Sequence, residues 1–185
     1  MGGTFLGVVL YSYYMVFYYG YRDLRVFTNV MGSQPVEQFV DAGMLGFAFS
    51  TSVDTSRAVG YKSFEEGGRM YCVAPIVDKQ QGLSSPVKFW AVGENCCQPR
   101  GKFECGDAQN PKAHTGVVLL RPDMFAPATA TWIVNEREGL LRQYERAVDL
   151  AQNVFGIPEF EPTPPFAAST VTTTTAAAST TGASS

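Results

Sequence analysis

Four cysteines fall within 34 residues, as Cys72, the adjacent pair Cys96 and Cys97, and Cys105. They restrict the possible folds of this chain more than any other feature. Consecutive side chains of an extended segment point to opposite sides, so Cys96 and Cys97 do not bond to each other. Two pairings remain: Cys72 with Cys96 and Cys97 with Cys105, or Cys72 with Cys97 and Cys96 with Cys105. In both, Cys105 closes the loop over residues 98–103 and Cys72 ties a neighbouring strand to it. Each bridge stabilises the fold by roughly 2 to 4 kcal/mol, mainly by restricting the unfolded chain. Bridged cysteines also place the domain in an oxidising compartment. A zinc site built from these thiols and His114 fits poorly, because there is no C-x2-C pair and vicinal ligands crowd one tetrahedral centre. No metal or other cofactor is therefore assigned, and the absence of C-x-x-C argues against a redox-catalytic motif.

Around the cysteines the sequence reads as short strands. Leu45, Phe47 and Phe49 alternate with small or polar residues at the period of a strand with one buried face. Residues 58–64, 70–77, 87–93, 114–120 and 129–134 are further runs of β-branched and aromatic residues. Turn chemistry separates them, at residues 54–56, Gly67 with Gly68, residues 81–86, and Asn110 with Pro111. The runs 87–92 and 116–120 alternate too little for edge strands, whereas Pro75 suits an edge or a strand end. The fold class expected is mainly β, a small antiparallel sandwich or curled sheet with one packing helix after it. That helix is placed at residues 136–155, with Asn135 as cap, Glu138 completing a capping box, and Gly156 and Pro158 ending the run. Leu140, Leu141, Tyr144, Ala147, Val148, Ala151 and Phe155 form its apolar stripe.

The two ends differ from this middle. No charged side chain precedes Arg22, and residues 4–19 read TFLGVVLYSYYMVFYY. As a helix at ~1.5 Å per residue, residues 2–21 would span about 30 Å, the thickness of a bilayer's hydrocarbon core. Tyr13, Tyr14, Tyr18, Tyr19 and Tyr21 stand where an aromatic belt would. Residues 1–21 are accordingly expected to be a transmembrane anchor, with membrane contact through residues 4–20. Residues 22–162 form one β-rich domain. Arg22 and Arg25 follow the apolar run and pull the domain toward the cytoplasm, while the cysteines pull it toward an extracytoplasmic or lumenal side, which is the placement expected. Residues 163–185 are expected to be a disordered tail, since from Ala167 onward every residue is Ala, Ser, Thr, Gly or the lone Val171.

Recognisable active-site patterns are missing. The 14 basic and 17 acidic side chains are scattered singly or in mixed pairs, without the basic stripe that nucleic-acid binding needs. There is no G-x-S-x-G, H-E-x-x-H, P-loop or dinucleotide glycine pattern. His114 is the only histidine, so any histidine-dependent mechanism runs through it. Glu65 and Glu66 are adjacent and would diverge on a strand, unlike the paired carboxylates of glycoside hydrolysis. Glu94, Glu104 and Asp107 flank the cysteine loop and could meet a calcium ion, but nothing resembles an EF-hand loop.

The run Tyr71-Cys72-Val73-Ala74-Pro75-Ile76, then Phe89-Trp90-Ala91-Val92-Gly93, then Cys96-Cys97 and Phe103-x-Cys105-Gly106-Asp107 resembles a domain found in many membrane proteins of dinoflagellates and related alveolates. The likeness covers about residues 40–160. It implies an anchored, disulfide-bearing module and carries over no catalytic residue. The function expected is a membrane-anchored, non-catalytic module with a binding or assembly role. The alternative is a soluble or membrane-bound enzyme using His114 or a free cysteine.

Overall fold

A computed structural model describes residues 2–11, 15, 18, 19, 22–64, 67–79, 85–119, 131–158 and 169–172. Among the described residues its frame is one mixed sheet of eight strands. They are β1 (Arg25–Val30), β2 (Ala42–Phe47), β3 (Thr51–Val53), β4 (Val59–Lys62), β5 (Met70–Asp78), β6 (Phe89–Glu94), β7 (Thr115–Val118) and β8 (Ser169–Thr172). The order across the sheet is β1-β2-β7-β8-β6-β5-β3, with β4 following β3 along the same edge of β5. Among the described residues the longer helices are α1 (Gly2–Leu10) and α2 (Thr131–Phe155).

The alternation of β5 and β6 explains the layering. Tyr71, Val73, Trp90 and Val92 face one side of the sheet, where they pack against Tyr144, Ala147, Val148 and Ala151 of α2. Cys72, Ala74, Ile76, Phe89 and Ala91 face the other, beneath Val36 and Phe39 of a short 3-10 turn and Phe103 and Cys105 of the cysteine loop. Both strands are therefore buried on both faces, as the low alternation in residues 87–92 implied. The second face is rich in edge-to-face rings, Phe39 and Phe47 each meeting Phe89 with centroids 6.0 and 5.7 Å apart. On the first face Tyr71 and Tyr144 meet in the same way at 5.3 Å. Burial raises the Tyr144 hydroxyl above the usual phenol range, and Glu94 and Tyr71 push it the same way.

Pro75 corrects the edge expectation. It is fully buried in the middle of β5, opposite Trp90 of β6. Within a strand the nitrogen and carbonyl of one residue point to the same edge. The Pro75 carbonyl accepts from Asp54 N at 2.9 Å, so its nitrogen faces the break between β3 and β4. The missing N–H thus falls where the ladder is already interrupted.

The sheet and α2 differ from the sequence expectation. The sheet is single and mixed rather than a purely antiparallel sandwich, because β1 pairs β2 and β6 pairs β8 in parallel. Residues 131–134, read as the end of a strand, belong to α2, while 129 and 130 lie outside the described residues. No glycine or proline separates Thr131 from Glu136, and an established helix runs through β-branched residues at small cost. The C-terminal stop matches its reading: Gly156 has φ 62°, and Ile157 N donates back to Gln152 O at 3.0 Å. Of the turns, Gly67 and Gly68 have φ 73° and 80°, whereas residues 81–84 lie outside the described residues.

The two ends stand differently against expectation. Among the described residues no helix is long and apolar enough to cross a membrane. The nine residues of α1 reach ~14 Å at ~1.5 Å each, about half of a hydrocarbon core. Residues 1, 12–14, 16, 17, 20 and 21 of the expected anchor lie outside the described residues. Ser169–Thr172 falls inside the tail expected to be disordered, yet it is β8, parallel to β6 and antiparallel to β7. β6 and β7 do not pair with each other, so the slot between them leaves backbone groups in mid-sheet to be satisfied. Thr170, Val171 and Thr172 suit an extended backbone. The rest of residues 163–185 lies outside the described residues.

Candidate functional site

The cysteines converge on one spot. Cys72 is bonded to Cys97 and Cys96 to Cys105, the second of the two pairings open from the sequence, and no cysteine is free. Across the sheet Gly60 of β4 lies opposite Cys72, and Cys72 lies opposite Gly93 of β6. Each glycine makes room for a bridge. A Cβ at position 60 would stand 2.9 Å from Cys97 Sγ, and one at position 93 would stand 2.6 Å from Cys96 Sγ and 2.5 Å from Cys105 Sγ. The sulfurs of Cys72, Cys96 and Cys105 all lie within 4.8 Å of one another, so the two bridges are in contact. Cys72 and Cys105 are buried, whereas Cys96 and Cys97 are only partly so.

Local backbone chemistry shapes this loop. Asn95 takes φ 55° at the end of β6, a conformation that asparagine tolerates better than most residues. It exchanges two bonds with Met70, accepting from Met70 N at 3.0 Å through its side chain and donating its own N–H to Met70 O at 2.8 Å. The chain then folds back over the sheet face. The Cys97 and Phe103 backbones pair antiparallel, Glu104 N donates to Cys96 O at 2.8 Å, and Gly101 N donates to Ala58 O at 2.9 Å. Phe103, fully buried, is the apolar anchor of the loop.

The side chains of His114, Glu94 and Glu104 make their contacts away from the sulfurs. The His114 ring lies edge-on to Phe49, centroids 5.1 Å apart. Glu94 lies 3.9 Å from Arg69, and Glu104 lies 4.0 Å from Lys102. Glu65 and Glu66 lie outside the described residues. Among the described residues, the one group of three or more metal-ligating side chains brought together is Cys72, Cys96 and Cys105, whose sulfurs are already committed to bridges.

A polar cluster forms around Asp78, which no sequence motif marks. Asp78, buried at the end of β5, accepts from Gly32 N at 2.9 Å, from Ser33 N at 3.1 Å and from the Thr51 hydroxyl. Burial disfavours its charge, but the bonds from Thr51, Gly32 and Ser33 outweigh that and hold the carboxyl below its usual range. Lys88 Nζ donates to Ser33 O at 2.6 Å and closes the same turn. Asp78 thereby ties the turn after β1 to β5 and β3. The available signal was an acidic residue ending an otherwise apolar strand.

The chain matches no protein-family model, no curated protein and no solved structure.

Proposed function

We propose that the protein is a membrane-anchored, disulfide-stapled module that acts in binding or assembly rather than catalysis, with its sheet domain on an extracytoplasmic or lumenal side. The observation that carries this is α1, where Phe5, Leu6 and Val8 are 74%, 59% and 65% exposed. Three large apolar side chains on one uncharged helix, left uncovered by the sheet domain, call for an apolar environment. Arg22 stacks on Tyr19 at 4.8 Å to the ring centroid, a pairing suited to a membrane–water boundary. The closed bridges fit an oxidising compartment. The sequence resemblance to anchored alveolate modules points the same way.

Membrane fractionation of cells expressing the chain, followed by alkaline carbonate washing, tests the anchor. The protein should stay with the membrane pellet, and protease added to sealed vesicles of known orientation should report the side of the sheet domain. Release of the protein by carbonate would overturn the reading.

A further inference from the structure

We infer that the two bridges form a single thiol–disulfide exchange site, which a dithiol can convert from two bridges into one bridge and a vicinal dithiol. This goes beyond the binding role proposed above and does not depend on the anchor. Exchange proceeds by thiolate attack on a disulfide sulfur, and it requires access for the first attack and proximity for the next. Both conditions are met by different members of the cluster. Cys96 and Cys97 are partly exposed in the loop, whereas their partners Cys105 and Cys72 are buried beneath it. The sulfurs of Cys72, Cys96 and Cys105 are within 4.8 Å of one another, so a thiolate released from one bridge is beside the other.

One thiolate of an external dithiol attacks Cys96 Sγ, the Cys96–Cys105 bond breaks, and Cys105 departs as a thiolate with the electron pair. Cys105 attacks Cys72 Sγ, forming Cys72–Cys105 and releasing Cys97 as a thiolate that takes a proton from water. The second thiol of the reagent then attacks its own sulfur in the mixed disulfide, loses its proton to water and releases Cys96 as a thiolate. Two electrons have passed from the dithiol, which leaves as a disulfide. Entry at Cys97 reaches the same product, because the displaced Cys72 thiolate lies beside Cys105. The buried pair ends up bridged, and the two partly exposed neighbours become an adjacent dithiol.

The test is limited reduction of the oxidised full chain with equimolar dithiothreitol under native conditions, quenched with N-ethylmaleimide and digested with trypsin. Cleavage after lysine and arginine puts Cys72 in residues 70–79, Cys96 and Cys97 together in 89–100, and Cys105 in 103–112. The expected product is peptide 89–100 carrying two maleimides, with peptide 70–79 linked to 103–112. This species should exceed the other one-bridge species several-fold. Labels found only on the native couples, Cys96 with Cys105 or Cys72 with Cys97, would overturn the proposal, as would thiols released only when the protein unfolds. A Cys96→Ser chain gives an independent reading: Cys105 should capture Cys72 and leave Cys97 alkylatable, whereas a retained Cys72–Cys97 bridge with Cys105 alkylated counts against it.

Discussion

Gly93 lies directly opposite Cys72 in the β5–β6 pair, and its bare Cα is the floor on which the Cys96–Cys105 bridge rests. A Cβ there would come within 2.8 Å of three atoms of that bridge, counting Cys105 Cβ with the two sulfurs. Gly93→Ala should therefore destabilise the oxidised domain by about 1 to 3 kcal/mol, the usual range for overpacking a dense core. Chemical denaturation under non-reducing conditions measures it, and wild-type stability in the variant would show that the loop yields.

Asp78 makes stability depend on pH in a defined direction. Its carboxyl is held below the usual range, so its stabilisation is present above the unfolded value of about 3.9 and is lost as pH falls through the lower folded value. Asp78→Asn should be less stable than wild type at pH 7, by roughly 1.5 to 3 kcal/mol for bonds to a charged group. The gap should narrow as the pH is lowered below about 4. A difference that stays constant from pH 7 to 2 would rule out the ionised carboxylate as the source.

Tyr144 is buried against Tyr71, whereas Leu150 lies on the exposed side of the same helix. Tyr144→Ala should cost about 3 to 5 kcal/mol, as for other large aromatic truncations in a core. Leu150→Ala should change stability by no more than about 0.5 kcal/mol. Thermal unfolding of the two variants side by side separates a helix packed on the sheet from one that merely adjoins it.

β8 fills the slot between β6 and β7 with Ser169–Thr172. Proline at position 171 lacks the N–H a ladder needs and suits no central strand. Val171→Pro should raise hydrogen exchange at the β6 amides on the β8 side, with little change on the β5 side. Equal protection in variant and wild type would mean that β6 does not rely on β8.

Much of the scaffold was legible in the residues themselves. The strands around Leu45, Met70, Phe89 and Thr115 and the helix ending at Gly156 follow from side-chain period and turn chemistry, which are local properties. The cysteine spacing narrowed three pairings to two. β1, β3 and β8 were missed because each is held by its neighbours more than by its own composition, and Arg25–Val30 is largely exposed.

What the sequence decided alone was the inventory: apolar runs that must be buried or placed in a membrane, glycines and asparagines that permit the turns, and four thiols close enough to pair. Only the tertiary structure chose Cys72–Cys97 with Cys96–Cys105 and placed Gly60 and Gly93 on either side of Cys72. Only there does Pro75 sit harmlessly in mid-sheet, and only there does Asp78 find donors 45 and 46 residues away in sequence. The reason is that period and turn propensity act between near neighbours, whereas strand order and bridge choice depend on which distant backbone edges are left to be satisfied.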